Sequence, residues 1–193
     1  AFLAAGGSPM AADDPRLAAV ENVIIAAPSQ SLAAAADIAT AAGVEVRLLG
    51  DAIEGEAREV AEAQAALALE IAAQRLDHPV LLLSGGECTV TRRGDGVGGP
   101  NAEFVLAAVV ALKGHPKIHL IACDTDGVDG AAEVAGAIGD PSTLALSEAM
   151  GGSAAAALRN NDAHGFFGAI GAQVVTGPTM TNVNDFRAIL VLP

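Results

Sequence analysis

Short apolar runs, each closed by a cluster of Gly, Asp, Asn or Pro, recur along the chain and set its predicted elements. The first is Val23 to Ala27, a strand bounded by Pro28. Ser29 can cap a helix that continues to about Ala41 and stops at Gly43, and Val44 to Leu49 repeats the strand pattern. Strand, helix, strand in that order is the parallel βαβ unit. Asp51 and Glu54 have the spacing of a capping box, which predicts a long helix to about Leu76 with Val60, Ala63, Leu67 and Ile71 on one face. Within it Glu54 and Arg58 are spaced for an i,i+4 ion pair.

Pro79 to Leu83 is continuously apolar, as a strand buried on both faces must be, and it leads into the loop Ser84-Gly85-Gly86-Glu87. A strand Thr89 to Arg93, the loop Gly94 to Pro100 and a helix burying Phe104, Val105, Ala108, Val109 and Leu112 follow. Ile118 to Cys123 is a further buried strand that ends in Asp124-Thr125-Asp126-Gly127-Val128-Asp129-Gly130. The remainder reads as mostly helical: one helix from Asp140-Pro141 to Gly151, one capped by Ser153, and one opened by Asp162 that carries Phe166, Phe167 and Ile170. Gln173 to Thr176 and Ala188 to Leu192 are two closing strands joined by a polar loop. The pattern predicts an α/β domain over residues 23–193, layered α/β/α around a mostly parallel or mixed sheet, behind a linker at 1–22.

Composition narrows the functions this domain can have. The hydrophobic fraction is 52 %, but no run approaches the roughly 20 apolar residues of a membrane span. Ten Lys and Arg against 23 Asp and Glu give a formal charge of −13, which repels nucleic acid and anionic membranes. With no Trp or Tyr, platforms for stacking bases are scarce as well. A nest of backbone N–H groups can still hold a small anion against that distant charge. Cys88 and Cys123, the only thiols, read as small buried residues. The first segment, from Ala1, lacks the basic stretch of a signal peptide, so the expectation is a cytoplasmic chain cut from a longer polypeptide.

Four of the polar loops follow predicted strands, where open α/β sheets bind their ligands. Gly94-x-Gly96-x-x-Gly99 spells a dinucleotide fingerprint ahead of a helix, without an acidic residue about 20 positions on. It is read either as a phosphate-facing loop or as a flexible turn. Asp124, Asp126 and Asp129 put three carboxylates into one short loop, but the position where an EF-hand needs Glu is Ala135. These aspartates either hold Mg²⁺ or substrate hydroxyls, or cap the next turn. Thr176 to Asp185 supplies hydroxyls and amides suited to a polyol, and Asn160 to Asp162 has the simpler reading of a helix cap. No His has a Ser or Cys partner, so phosphoryl transfer, which depends on positioning and electrostatics, fits better than a hydrolase triad.

Taken together, SGGECTVT (84–91), GDGVGGPNAEF (94–104), ACDTDGVDG (122–130), RNND (159–162) and TGPTMTNVNDFR (176–187) resemble the MOFRL-type glycerate 2-kinases, many of which carry the name hydroxypyruvate reductase. The likeness runs from about Val23 to the C-terminus and includes GDAIEGEAREVA at 50–61. It implies ATP-dependent phosphorylation of D-glycerate to 2-phosphoglycerate, with Mg²⁺, in a cleft between two domains. The positions that match the family's loops are Gly85, Gly86, Glu87, Gly96, Gly98, Gly99, Asn101, Glu103, Asp124, Thr125, Asp126, Gly127, Asp129, Asn161, Asp162, Thr179, Asn182, Asn184, Asp185 and Arg187.

Under this resemblance Asp124, Asp126 and Arg187 carry the catalytic work, Asp124 or Asp126 binds the metal, and the Gly94–Asn101 loop and Arg187 meet anionic groups. Pro100 and Ala102 stand where many relatives have Arg and Gln, so an anion contact of that loop is either missing or supplied by Arg92 or Arg93. The family's N-terminal domain has no counterpart in these 193 residues. Half the cleft is then missing, and the apolar face left by that domain favours a homo-oligomer. Two rival readings are an NAD(P)H-dependent hydroxypyruvate reductase and a non-catalytic ligand-binding or assembly domain.

Overall fold

In the computed structural model, which describes residues 10, 11 and 13–193, a six-stranded mixed sheet is layered with helices. Ten residues of the expected linker (1–9 and 12) lie outside the described set; Pro15–Leu17 within it forms one 3₁₀ turn.

Helix α1 (Pro28–Ala41) starts on a proline, which pre-sets the helical φ, and its N-cap is Ala27 rather than the expected Ser29. Strand β1 (Glu45–Glu56) is longer than its apolar run. The expected capping box at Asp51 and Glu54 is absent because those residues stay in the strand, where Gly50 and Gly55 have positive φ and the pairing with the next strand shifts register. Helix α2 (Ala57–Ala72) therefore begins five residues later than expected. Its buried side is a row of alanines, Ala57, Ala61, Ala65 and Ala68, small enough to admit the next helix closely.

Strand β2 (Val80–Thr89) also corrects the sequence reading: it runs straight through Ser84, Gly85, Gly86 and Glu87 instead of ending at Leu83. A Cβ on Gly86 would lie 2.2 Å from the backbone N of Ile53 in β1, so glycine is what lets the two strands pass. Thr89 is the last residue of β2, and no separate strand covers 89–93. Helix α3 (Pro100–Leu112) is buried from Asn101 to Val109 and is the centre of the main core.

Strands β3 (Ile118–Asp124) and β4 (Gly136–Gly139), helices α4 (Thr143–Ala149), α5 (Ala154–Arg159) and α6 (Ala163–Ala169), then strands β5 (Gln173–Val174) and β6 (Asp185–Val191) complete the chain. The segment expected to be helical thus includes β4. The sheet order is β1-β2-β6-β3-β4-β5, with β1 parallel to β2 and every other pair antiparallel. Helices α2 and α3 bury one face around Leu82, Phe104, Leu120, Ile189 and Val191. On the other face α1 seats Leu32 on Leu83 and Ala188, while Leu81, Ile121, Ile138 and Leu190 beside it line an open apolar cavity. Val23–Ala27, expected as the first strand, joins no ladder.

Candidate functional site

The carboxyl ends of β2 and β3 flank the start of β6, and the register places Gly86, Asp185 and Asp124 side by side across the three strands. The polar loops meet at this end of the sheet. They divide into a half-exposed rim and a buried lattice beneath it.

The rim is built from the loop after β3 and the loop before β6. Asp124 Oδ1 accepts the backbone N–H of Asp126 at 3.0 Å, and Asp126 Oδ1 accepts that of Val128 at 2.8 Å. Asn182 Nδ2 donates to Asp126 Oδ2 at 3.1 Å. Thr125 Oγ1 accepts the amide of Val183 and donates to the carbonyl of Asn184. Thr179 donates its hydroxyl to the Thr125 carbonyl. The two loops are therefore one unit, with positive φ at Gly127 and Asn184 allowing the tight returns. Burial, and then the neighbouring charges of Asp126 and Asp185, push Asp124 up to about 6 against the one amide that holds it down.

The lattice is formed by Asn101, Glu103, Asp129, Asn161, Asp185 and Arg187, all buried. Asp129 Oδ1 accepts the amide of Asn101 at 2.9 Å and Oδ2 that of Ala102 at 2.8 Å, so a carboxylate of the chain occupies the N-terminus of α3. His164 Nε2 lies 3.0 Å from Asp129 Oδ2. Asn101 Nδ2 donates to Asp185 Oδ1 at 2.7 Å. Burial raises the Asp185 carboxyl, outweighing the lowering effect of Asn101 and Arg187. Arg187, 1 % exposed, donates to Cys88 Sγ at 2.9 Å and to Asp185 Oδ2 at 3.4 Å, with its guanidinium 5.6 Å from the Phe104 ring centre. An anion outside the fold cannot reach that guanidinium.

The glycine loop 94–99 also turns inward. Asn161 Oδ1 accepts the amides of Arg93 and Gly94, Asn160 accepts those of Asp95 and Gly96, and Asp162 Oδ1 accepts that of Val97. A Cβ on Gly96 would sit 2.4 Å from Asp162 Cβ, and one on Gly99 2.4 Å from the Asp129 carboxyl carbon. The glycines bring the loop against the Asn160–Asp162 turn and Asp129. Asp162 sits at the N-cap of α6, but its carboxylate serves this loop and makes no cap hydrogen bond.

Of the expected ligand-binding positions, the rim gathers Asp124, Thr125, Asp126, Thr179, Asn182 and Asn184, with Gly127 in its turn. Glu87 is exposed on β2 beside buried Gly85 and Gly86. Gly96, Gly98, Gly99, Asn161 and Asp162 form the packed loop. Sequence reasoning missed three partners: His164, Cys88 and Arg58, whose Nε donates to Glu103 at 2.6 Å instead of pairing with Glu54. All three are long-range contacts that no local spacing encodes. A cavity of about 350 Å³ between α4, α5 and α6 touches Asn160 and Asp162 but none of the rim.

Residues 80–185, which hold both the rim and most of the lattice, match the MOFRL family. The chain belongs to that family. A protein of Agrobacterium vitis named "Putative hydroxypyruvate reductase" is 48 % identical over 172 residues, 87 % of this chain and 39 % of its own length. The D-glycerate 2-kinase of Thermotoga maritima is 36 % identical over 160 residues, 82 % of this chain and 38 % of its own. The crystal structure of a glycerate kinase from the same organism superposes with a TM-score of 0.84 at 35 % identity, covering 90 % of this chain and 42 % of that one. The fold is that of glycerate kinases, and the MOFRL chain spans about two fifths of the length of these relatives.

Proposed function

We propose that the chain is the C-terminal part of an ATP-dependent, cytoplasmic glycerate 2-kinase, which phosphorylates D-glycerate to 2-phosphoglycerate when joined to the rest of a longer polypeptide. The observation that carries this reading is the rim: two carboxylates, Asp124 and Asp126, stand among hydroxyls and amides at the carboxyl end of β3.

The donor chemistry of the rim suits Mg²⁺. Its candidate ligands are all oxygens, and Asp124, raised first by burial and then by the charges of Asp126 and Asp185, is a carboxyl whose ionised form a cation would favour. Among the described residues no three His, Cys, Asp or Glu side chains converge on one point. Asp124 and Asp126 would therefore hold the ion together with phosphate oxygens and water, as Mg²⁺ sites commonly do. The ion supplies neutralisation of charge on the transferring phosphoryl group.

The chain's own residues position the reactants. Thr179, Asn182 and Asn184 offer donors and acceptors to a small polyhydroxy acid, and Glu87 projects from the same end of the sheet. The buried lattice keeps the rim in place through Asp185, which joins β6 to α3 by way of Asn101. Arg187 serves that scaffold. A reductase reading finds less support, because the glycine loop spends its amides on Asn160, Asn161 and Asp162.

The test is ATP-dependent phosphorylation of D-glycerate, assayed on this chain and on the longer polypeptide, with 2- and 3-phosphoglycerate distinguished. Activity confined to the longer polypeptide, giving the 2-phosphate, is the expected result. Folded but inactive protein in both samples would overturn the reading.

A further inference from the structure

Val23, Ile24 and Ile25 are 65, 80 and 90 % exposed, three successive β-branched side chains facing water. Val23 to Ala27 has the uninterrupted apolar composition of a strand buried on both faces. Ala27 already has extended angles, φ −149° and ψ 154°. Pro28 then begins α1, which Leu32 anchors to the sheet, so the segment leaves the domain at a fixed point.

This sheet offers the segment no place. Helix α1 lies on one face and α2 on the other. Two successive crossovers of the same hand with helices on opposite faces must step in opposite directions along the sheet. The unit β1–α2–β2 steps inward from the edge. A preceding unit of the same hand would have to start on the β2 side of β1, which β2 already fills. Beside the free edge of β1 the segment would need a crossover of the opposite hand, and about 98 % of parallel crossovers are right-handed.

We propose that Val23–Ala27 is a strand donated to a second sheet, one that lies in the part of the longer polypeptide beyond these 193 residues. The inference rests on the reading of this chain as a portion of such a polypeptide, as its coverage of two fifths of its relatives suggests. Both faces of the segment are apolar, so the receiving sheet has cover on both sides and presents an open strand edge to its main-chain N–H and C=O groups. A second copy of this chain is a poor host. Its β1 is an irregular strand, with two register shifts in its pairing with β2, and its β5 edge is two residues long.

Amide hydrogen exchange tests this on the 193-residue chain at several concentrations and on the longer polypeptide. The expected result is rapid exchange at Glu21–Ala27 in the shorter chain and exchange slowed by about 100-fold or more in the longer one, with α1 protected in both. An Ile24→Cys variant should likewise react with a maleimide in the shorter chain and resist it in the longer. Fast exchange and full labelling in both samples would overturn the proposal, and protection that grows with concentration of the shorter chain would overturn it in favour of a second copy. Protection without kinase activity keeps the strand and sinks the kinase; activity without protection does the reverse.

Discussion

Asp129 accepts the amide of Ala102 at 2.8 Å and so fills, with a carboxylate of the chain itself, the helix end where a bound phosphate would sit. The same carboxylate takes the amide of Asn101 and contacts His164, tying the β3 loop, α3 and α6 together. Asp129→Ala leaves two buried amides without their acceptor, while His164 Nε2 keeps the Asp129 backbone carbonyl. The expected loss is about 3 kcal/mol, read from urea unfolding of this chain. A variant within 0.5 kcal/mol of the parent, roughly the scatter of surface changes, would mean the contact is dispensable.

The glycine loop gives a contrast between two substitutions. Gly99→Ala would drive a methyl group to 2.4 Å from the Asp129 carboxyl carbon and should cost about 2 to 3 kcal/mol. Gly171→Ala meets nothing within 4 Å, and its φ of +69° should limit the loss to about 1 kcal/mol. Thermal unfolding of the two variants side by side checks the order. If the loop were a flexible turn the order would vanish or reverse.

Arg187→Met removes a buried cation and leaves Asp185 beside a thiol, which should destabilise the chain by about 3 kcal/mol. Because Arg187 belongs to the lattice, turnover of the longer polypeptide should fall only in step with the folded fraction. A variant that folds fully yet loses turnover would instead place Arg187 at the substrate.

Asp124 sets a dependence on pH. Its folded-state value of about 6 lies above the ordinary 3.8, so between those values the folded chain binds more protons than the unfolded one. The contribution of Asp124 to stability therefore falls as pH rises from about 4 to about 6 and is level above that. Subtracting the stability of Asp124→Asn from that of the parent at several pH values isolates it. A difference that rises across this window would contradict the burial argument.

Asp126→Ala tests the rim directly. In the longer polypeptide it should lower turnover by about 100-fold while changing stability by no more than about 1 kcal/mol, since only Asn182 and the Val128 amide lose a partner. Unchanged turnover would remove Asp126 from the reaction.

What could be read from the residues alone follows from how local each signal is. The strands at Val80–Leu83 and Ile118–Cys123 and the helix after Pro100 are continuous apolar runs, and each appears where expected, although β2 continues past Leu83 to Thr89. The capping-box spacing at Asp51 and Glu54 was misleading because pairing with β2, a long-range event, keeps those residues extended. Gly85-Gly86 reads as a turn, whereas its cause is the passage of Ile53 across the glycine. The rim was legible because its loops are short and polar, while the lattice was not. Nothing near Asp129 or Arg187 in sequence says that their side chains point into the protein to meet Ala102 and Cys88.

The middle of the sheet is closed by β6, which ends at Val191 and pairs on one side with β2 and on the other with β3. During synthesis β2 and β3 are made long before their shared neighbour, so each leaves the ribosome with an open, apolar edge. The sheet cannot close before β6 has emerged. Folding of this chain is accordingly set by contacts about 100 residues apart, a topology that slows the search and lengthens exposure of edges prone to mispairing. Removing the last ten residues should therefore give two half-sheets seeking a partner and an insoluble product, in place of a slightly shorter domain.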